Sequence, residues 1–211
     1  MLVLLSLLHL ASSDIKQDGF SFNGYLNVEG VAENSTNASV SSFSTTFIFA
    51  IVPEFIGGHG LAFVISPNDE IPGAYPAQYL GLFNLTNMGN SSNHIIAVEL
   101  DTFCNMEYHD IDDNHVGIIS IARSRLPSGD PMQIWMEYDG VDKQLNVTLH
   151  PINIPKPKIP ILSLKRDLSP YMYETMYVGF SSSSSSHSIM KSSHYILAWS
   201  FKMNGEADEL D

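Results

Sequence analysis

The stretch Met132–Leu149, MQIWMEYDGVDKQLNVTL, decides the fold class. Ile134, Met136 and Tyr138 alternate with Trp135 and Glu137, the period-two pattern of a strand in a packed sheet with large side chains on both faces. YDGVDK then supplies turn residues, and QLNVTL alternates more plainly, so Trp135 through Leu149 is predicted to be a β-hairpin.

Working outward, the same signature recurs along the chain. FSFNGYLNV, SFSTTFIFAIV, HGLAFVISP, QYLGLFNL, HIIAVELDTF, HVGIISIA, MYVGFSS and YILAWSFKM are short runs rich in Val, Ile, Phe, Tyr and Thr, separated by Gly, Pro, Asn and Asp. No long segment carries helical periodicity. Many short antiparallel strands imply an all-β sandwich, jelly roll or barrel. PINIPKPKIPIL reads as a Pro-rich extended connector and SSSSSSHSIMKSS as a Ser-rich loop.

The length, 211 residues with 44% hydrophobic content, suits one large domain with a sizeable core. A net charge of −13 with ten Lys plus Arg offers no basic stripe, which excludes nucleic acid as the expected partner. MLVLLSLLHLASS, residues 1–13, has the apolar run and small-residue end of a secretory leader, lacks the positive n-region, and is too short to span a bilayer. A buried N-terminal strand or helix is the alternative. Residues 14–211 are left as the domain. Sequons at Asn34, Asn37, Asn84, Asn90 and Asn146 agree with a secreted or extracellular glycoprotein, and Cys104 has no second cysteine for an intrachain disulfide.

Ala97–His115, AVELDTFCNMEYHDIDDNH, concentrates six acidic residues and two histidines in a chain that is 16% charged. Glu99 and Asp101 lie two apart on a strand and so share a face, with Asn105, Asp110 and His115 following. Oxygen donors suit calcium, and carboxylates with an imidazole suit manganese or another transition ion; an ordinary solvated loop is the alternative.

VELDTF-x-N, with an aspartate and then a histidine downstream, resembles the legume lectins. HGLAFVISP, SNHIIAVELDT, MQIWMEYDG, MYVGFSS and YILAWSFKMNGEA are similar to the lectin ectodomains of plant L-type lectin receptor kinases, in family order from about Phe20 onward. The resemblance implies a jelly-roll sandwich whose loops hold Mn²⁺ and Ca²⁺ beside a shallow sugar site. It assigns Glu99, Asp101, Asp110 and His115 to the transition metal, with Asp101 and Asp110 also reaching calcium. Asn105 and the Phe103 carbonyl complete the calcium set.

The resemblance also marks departures. The family's sugar-binding aspartate is His59 here, and the glycine before YLG is Gln78. A histidine supplies no fixed negative charge at neutral pH, so affinity for simple monosaccharides is expected to be weak. The ligand surface is then expected to comprise His59, Gln78, Phe103, Asn105 and Ser185, Ser186 and His187, taking a glycan or another extracellular peptide or small ligand. Between NVEGVAENSTNASV and SFSTTF the family carries further strands, including a segment like GLLQLTN, and a long piece before DPMQIWMEYDG is reduced to ISIARSRLPSG. The sandwich is therefore expected to be incomplete, with exposed edges. A homodimer would form through the back sheet, and the chain would sit at the cell surface if it is part of a longer receptor.

An enzymatic alternative is a jelly-roll glycoside hydrolase of the laminarinase type. It needs a glutamate closely following E-x-D, where Phe103 and Cys104 stand instead, so no catalytic residue is assigned. G-x-S-x-G, H-E-x-x-H and P-loop motifs are absent.

Overall fold

The computed structural model describes residues 3–8, 19–23, 41–53, 59–101, 115–118, 122–125, 131–173, 176–183 and 192–210. Two six-stranded sheets, antiparallel throughout, face each other. The first, called the front sheet, runs in the order β1 (Val3–Leu8), β11 (Tyr177–Ser183), β4 (Gly60–Ser66), β5 (Ile96–Asp101), β6 (His115–Ile118) and β7 (Ala122–Arg125). The back sheet runs β10 (Leu162–Lys165), β9 (Gln144–Pro151), β8 (Met132–Asp139), β3 (Phe43–Pro53), β12 (Ser192–Met203) and β2 (Gly19–Asn23).

The hairpin expected from Met132–Leu149 is present, with Ile134 opposite Leu149 and Asp139 opposite Gln144. Its alternation sends Met132, Ile134, Met136 and Tyr138 into the core between the sheets. Trp135 lies on the other face of β8, where it is still only 7% exposed. At the centre of the core Phe47, Phe63, Phe180 and Trp199 interlock, with Phe180 edge-on to Phe47 and to Trp199 at centroid distances of 4.8 and 4.7 Å. A buried indole N–H needs an acceptor. Thr45 Oγ1 accepts it at 2.9 Å and donates its own proton to the Ser200 carbonyl at 2.8 Å.

A second apolar cluster covers the far side of the front sheet. Ala62, Val64 and Ala97 present small side chains there, and Tyr79, Leu80, Leu82 and Phe83 pack over them. This corrects the expectation that QYLGLFNL is a strand. Ala77, Leu80 and Gly81 have φ values of +63°, +50° and +72°, which no strand accommodates. Tyr79, Leu80, Leu82 and Phe83 are buried almost in succession, because they cap a sheet face rather than line one.

Two short strands, β7 and β10, escape sequence reading: ARSR and LSLK are four residues long and sit at or beside sheet edges, where polar residues are tolerated. The Pro-rich connector is irregular as expected, tied back by Ile152 N–H to the Pro131 carbonyl and Ile161 N–H to the Val147 carbonyl. Ser183 and Ser192–Ser193, read as parts of a loop, belong to β11 and β12. Val3–Leu8, within the stretch whose composition suggests a leader, form β1, the alternative of an N-terminal strand, and pair with the edge of β11.

Candidate binding site on the outer face of the front sheet

Strand register composes the site. On the face of β5 turned away from the core, the backbone ladder aligns Ser181, Ala62, Glu99 and Gly117 across four strands. One step further along, Ser183 stands opposite Gly60, and Asp101 opposite His115. Glu99 and Asp101 are 7% and 6% exposed. The expectation that they share a face holds, and the ladder adds His115 at the position across from Asp101.

Two glycines make room for this arrangement, and sequence reading missed both. A Cβ on Gly117 would meet Glu99 Oε1 at 2.5 Å, so the carboxylate fills the space a side chain would take. A Cβ on Gly60, whose φ is +105°, would meet the Leu100 carbonyl at 2.2 Å and Asp101 Cα at 3.0 Å. The loop bearing His59 is thereby brought against the backbone of the acidic strand. Glycine inside a strand pattern, in HGLAF and HVGI, was the available signal.

Ser183 joins the two described members of the expected ligand surface. Its carbonyl accepts His59 N–H at 3.2 Å, and its Oγ accepts Ala77 N–H at 2.6 Å, holding the one-turn 3-10 helix Ala77–Tyr79 that carries Gln78. Ser181 Oγ donates to the Leu80 carbonyl at 2.5 Å, fastening the other end of that turn. His59 is 5% exposed, and burial lowers its pKa below the ordinary histidine value, so the ring is neutral at pH 7. Phe103, Asn105, Asp110, Ser185, Ser186 and His187 lie outside the described residues, as do Asn34 and Asn37. Among the described residues no group of three or more His, Cys, Asp or Glu is gathered as a metal site; Glu99 and Asp101 supply two carboxylates.

Three sequons fall on described surface. Asn84 Oδ1 accepts from Thr86 N–H and Oγ1, while its amide donates to the Gly73 carbonyl; Asn90 is exposed and caps a short turn through Ser92 N–H. Asn146 is half-buried on β9, its Oδ1 taken by Ser163 Oγ at 2.8 Å.

Residues 25–211 match the legume lectin domain. The chain belongs to the legume lectin family. It is 53% identical over 201 residues to the L-type lectin-domain containing receptor kinase V.9 of Arabidopsis thaliana, an alignment covering 85% of this chain and 30% of that protein. The chain therefore spans about a third of the length of this curated relative. Among solved structures, lectin II from Ulex europaeus superposes with a TM-score of 0.71 at 26% identity, covering 90% of this chain and all of that one. Lectin UEA-II complexed with galactose gives 0.69 at 27% identity, covering 94% and 87%. The legume lectin domain is a non-catalytic carbohydrate-binding module with the jelly-roll fold found here, and its members are in general metal-binding. No helix among the described residues is long and apolar enough to cross a membrane.

Proposed function

We propose that this lectin domain is an extracellular recognition module that holds a Mn²⁺/Ca²⁺ pair and binds a glycan larger or more apolar than a simple monosaccharide. The supporting observation is the pair Glu99 and Asp101, two buried carboxylates on one face, with Gly117 making room for one and Gly60 bringing the His59 loop against the other. Buried carboxylates are costly unless positive charge meets them. By donor chemistry, Glu99, Asp101, Asp110 and His115 would hold Mn²⁺, and Asp101, Asp110, Asn105 and the Phe103 carbonyl would hold Ca²⁺. When bound, the ions would fix the acidic loop and the sugar-facing residues within it.

His59 bears on affinity. An aspartate in its place would accept charge-assisted hydrogen bonds from sugar hydroxyls, each worth roughly 1.5–3 kcal/mol. A neutral, buried imidazole forfeits them. Loss of about 3 kcal/mol weakens binding roughly a hundredfold, which takes a millimolar monosaccharide site beyond ordinary titration. In this proposal Phe103 would stack on a sugar face and Asn105 would donate to a hydroxyl.

The test is calorimetric titration of wild type and His59→Asp with galactose, glucose and mannose, beside a glycan array. Gain of millimolar binding in His59→Asp is the expected outcome. Millimolar or tighter binding by wild type contradicts the weak-monosaccharide reading. Glycosylation at Asn34, Asn37, Asn84, Asn90 and Asn146, secretion after leader removal, and residues 14–211 as the mature unit complete the proposal. Intact-mass analysis of the secreted protein before and after deglycosylation checks all three.

A further inference from the structure

The edge of β11 is closed by a segment that does not belong to the matched domain. β1 pairs antiparallel with β11 in six registered steps, from Val3 opposite Ser183 to Leu8 opposite Val178. The legume lectin match begins at residue 25, and the composition of residues 1–13 is that of a leader. Among the described residues, removing residues 1–13 would leave β11 as the outermost strand of the front sheet, with a row of backbone donors and acceptors along its open side.

The strand beneath that edge is held firmly. Val178 and Phe180 are 4% exposed in the core, and Ser181 and Ser183 fasten the Ala77–Leu80 turn. A rigid strand with one open side is the requirement for strand addition, in which main-chain hydrogen bonds supply affinity and alternate side chains supply selectivity. Register states the preference: positions 4, 6 and 8 of the added strand share the face of Ser182, Phe180 and Val178, and positions 3, 5 and 7 stand opposite Ser183, Ser181 and Gly179. The segment seated there, VLLSLL, is apolar at five of its six positions.

We propose that the outer edge of β11 is a strand-acceptor site for an extended, apolar peptide segment of about six residues, filled here by Val3–Leu8 and vacated when the leader is removed. The proposal rests on the leader reading. The two fail separately, because the N-terminal sequence of the secreted protein tests cleavage while peptide binding tests the edge.

The experiment uses the full chain with a site-specific protease sequence inserted between Ser13 and Asp14. After folding and cleavage, a fluorescent peptide of residues 2–8 is added, beside the same peptide carrying Leu5→Pro and Leu7→Pro. Proline keeps the apolar character but removes ladder donors. The expected result is one-to-one uptake of the first peptide, with the proline peptide at least tenfold weaker. Uptake of neither, equal uptake of both, or self-association of the cut chain with no uptake overturns the proposal. If cleavage unfolds the chain, amide exchange in the uncut protein decides. Leu5→Pro is expected to speed exchange at Val178–Ser183 at least tenfold, and unchanged exchange overturns the proposal.

Discussion

The two faces of the front sheet are made by the same strands yet are built on opposite terms. The inner face of β4, β5 and β11 is large and apolar: Leu61, Phe63, Ile65, Ile96, Val98, Leu100, Val178 and Phe180 meet the back sheet with 6% exposure or less. The outer face of the same strands carries Gly60, Ala62, Val64, Ala97, Glu99, Asp101, Ser181 and Ser183. One face is filled for stability, and the other is kept small so that a loop, carboxylates and backbone can approach. Substitutions on the two faces should therefore separate into losses of stability and losses of binding.

The largest effect is expected inside. Trp199→Ala removes a side chain that is 1% exposed and packs against Phe63 and Phe180, and also the indole donor to Thr45. A loss of about 4 kcal/mol is expected in chemical denaturation, near the upper end for large-to-small core changes. A loss below about 1 kcal/mol would break the contrast between the faces.

Gly60→Val comes next. It places a branched side chain at φ +105° and a Cβ 2.2 Å from the Leu100 carbonyl, both of which the backbone must relieve by moving. The expected cost is about 2–3 kcal/mol, with loss of glycan binding as the His59 loop is pushed away from Asp101. Retention of both stability and binding would show that the close approach is dispensable.

Gly117→Ala sharpens the comparison. Its Cβ collides at 2.5 Å with the end of the Glu99 side chain and with no backbone atom among its three nearest neighbours. Stability is expected to fall by only about 1 kcal/mol, while transition-metal affinity falls at least tenfold. Equal losses on both readouts would place Glu99 among the structural residues instead.

The remaining effect is in pH dependence. Burial lowers the His194 pKa from 6.5 to about 4 and lowers that of His59 as well. The folded state thus binds fewer protons than the unfolded chain between those values. Stability is full above about pH 6.5 and declines as pH falls toward 4, by the linkage between proton uptake and unfolding. His194→Gln should flatten the denaturation midpoint measured over that window. An unaltered slope would remove His194 as the source.

The β-sandwich was legible because period-two alternation is a direct imprint of a sheet with a buried face: Ile134, Met136 and Tyr138 point to the core as their spacing implies. QYLGLFNL misled for a related reason. Tyr79, Leu82 and Phe83 have the composition of a strand, but they cap the outer sheet face, and positive φ at Leu80 is not encoded in residue type. The carboxylate face was readable from Glu99 and Asp101 two residues apart. Gly60, Gly117 and Ser183 were not, because their roles come from neighbours 40, 18 and over 100 residues away, at Leu100, Glu99 and Ala77, which only strand pairing brings together.

The most direct measurement of the central claim is elemental analysis of the folded protein after dialysis against trace Mn²⁺ and Ca²⁺, run beside Asp101→Ala. The account predicts one manganese and one calcium per chain in wild type and loss of both in Asp101→Ala, with the thermal unfolding of metal-free samples of the two proteins remaining close. Folded wild-type protein carrying neither metal above background would contradict it.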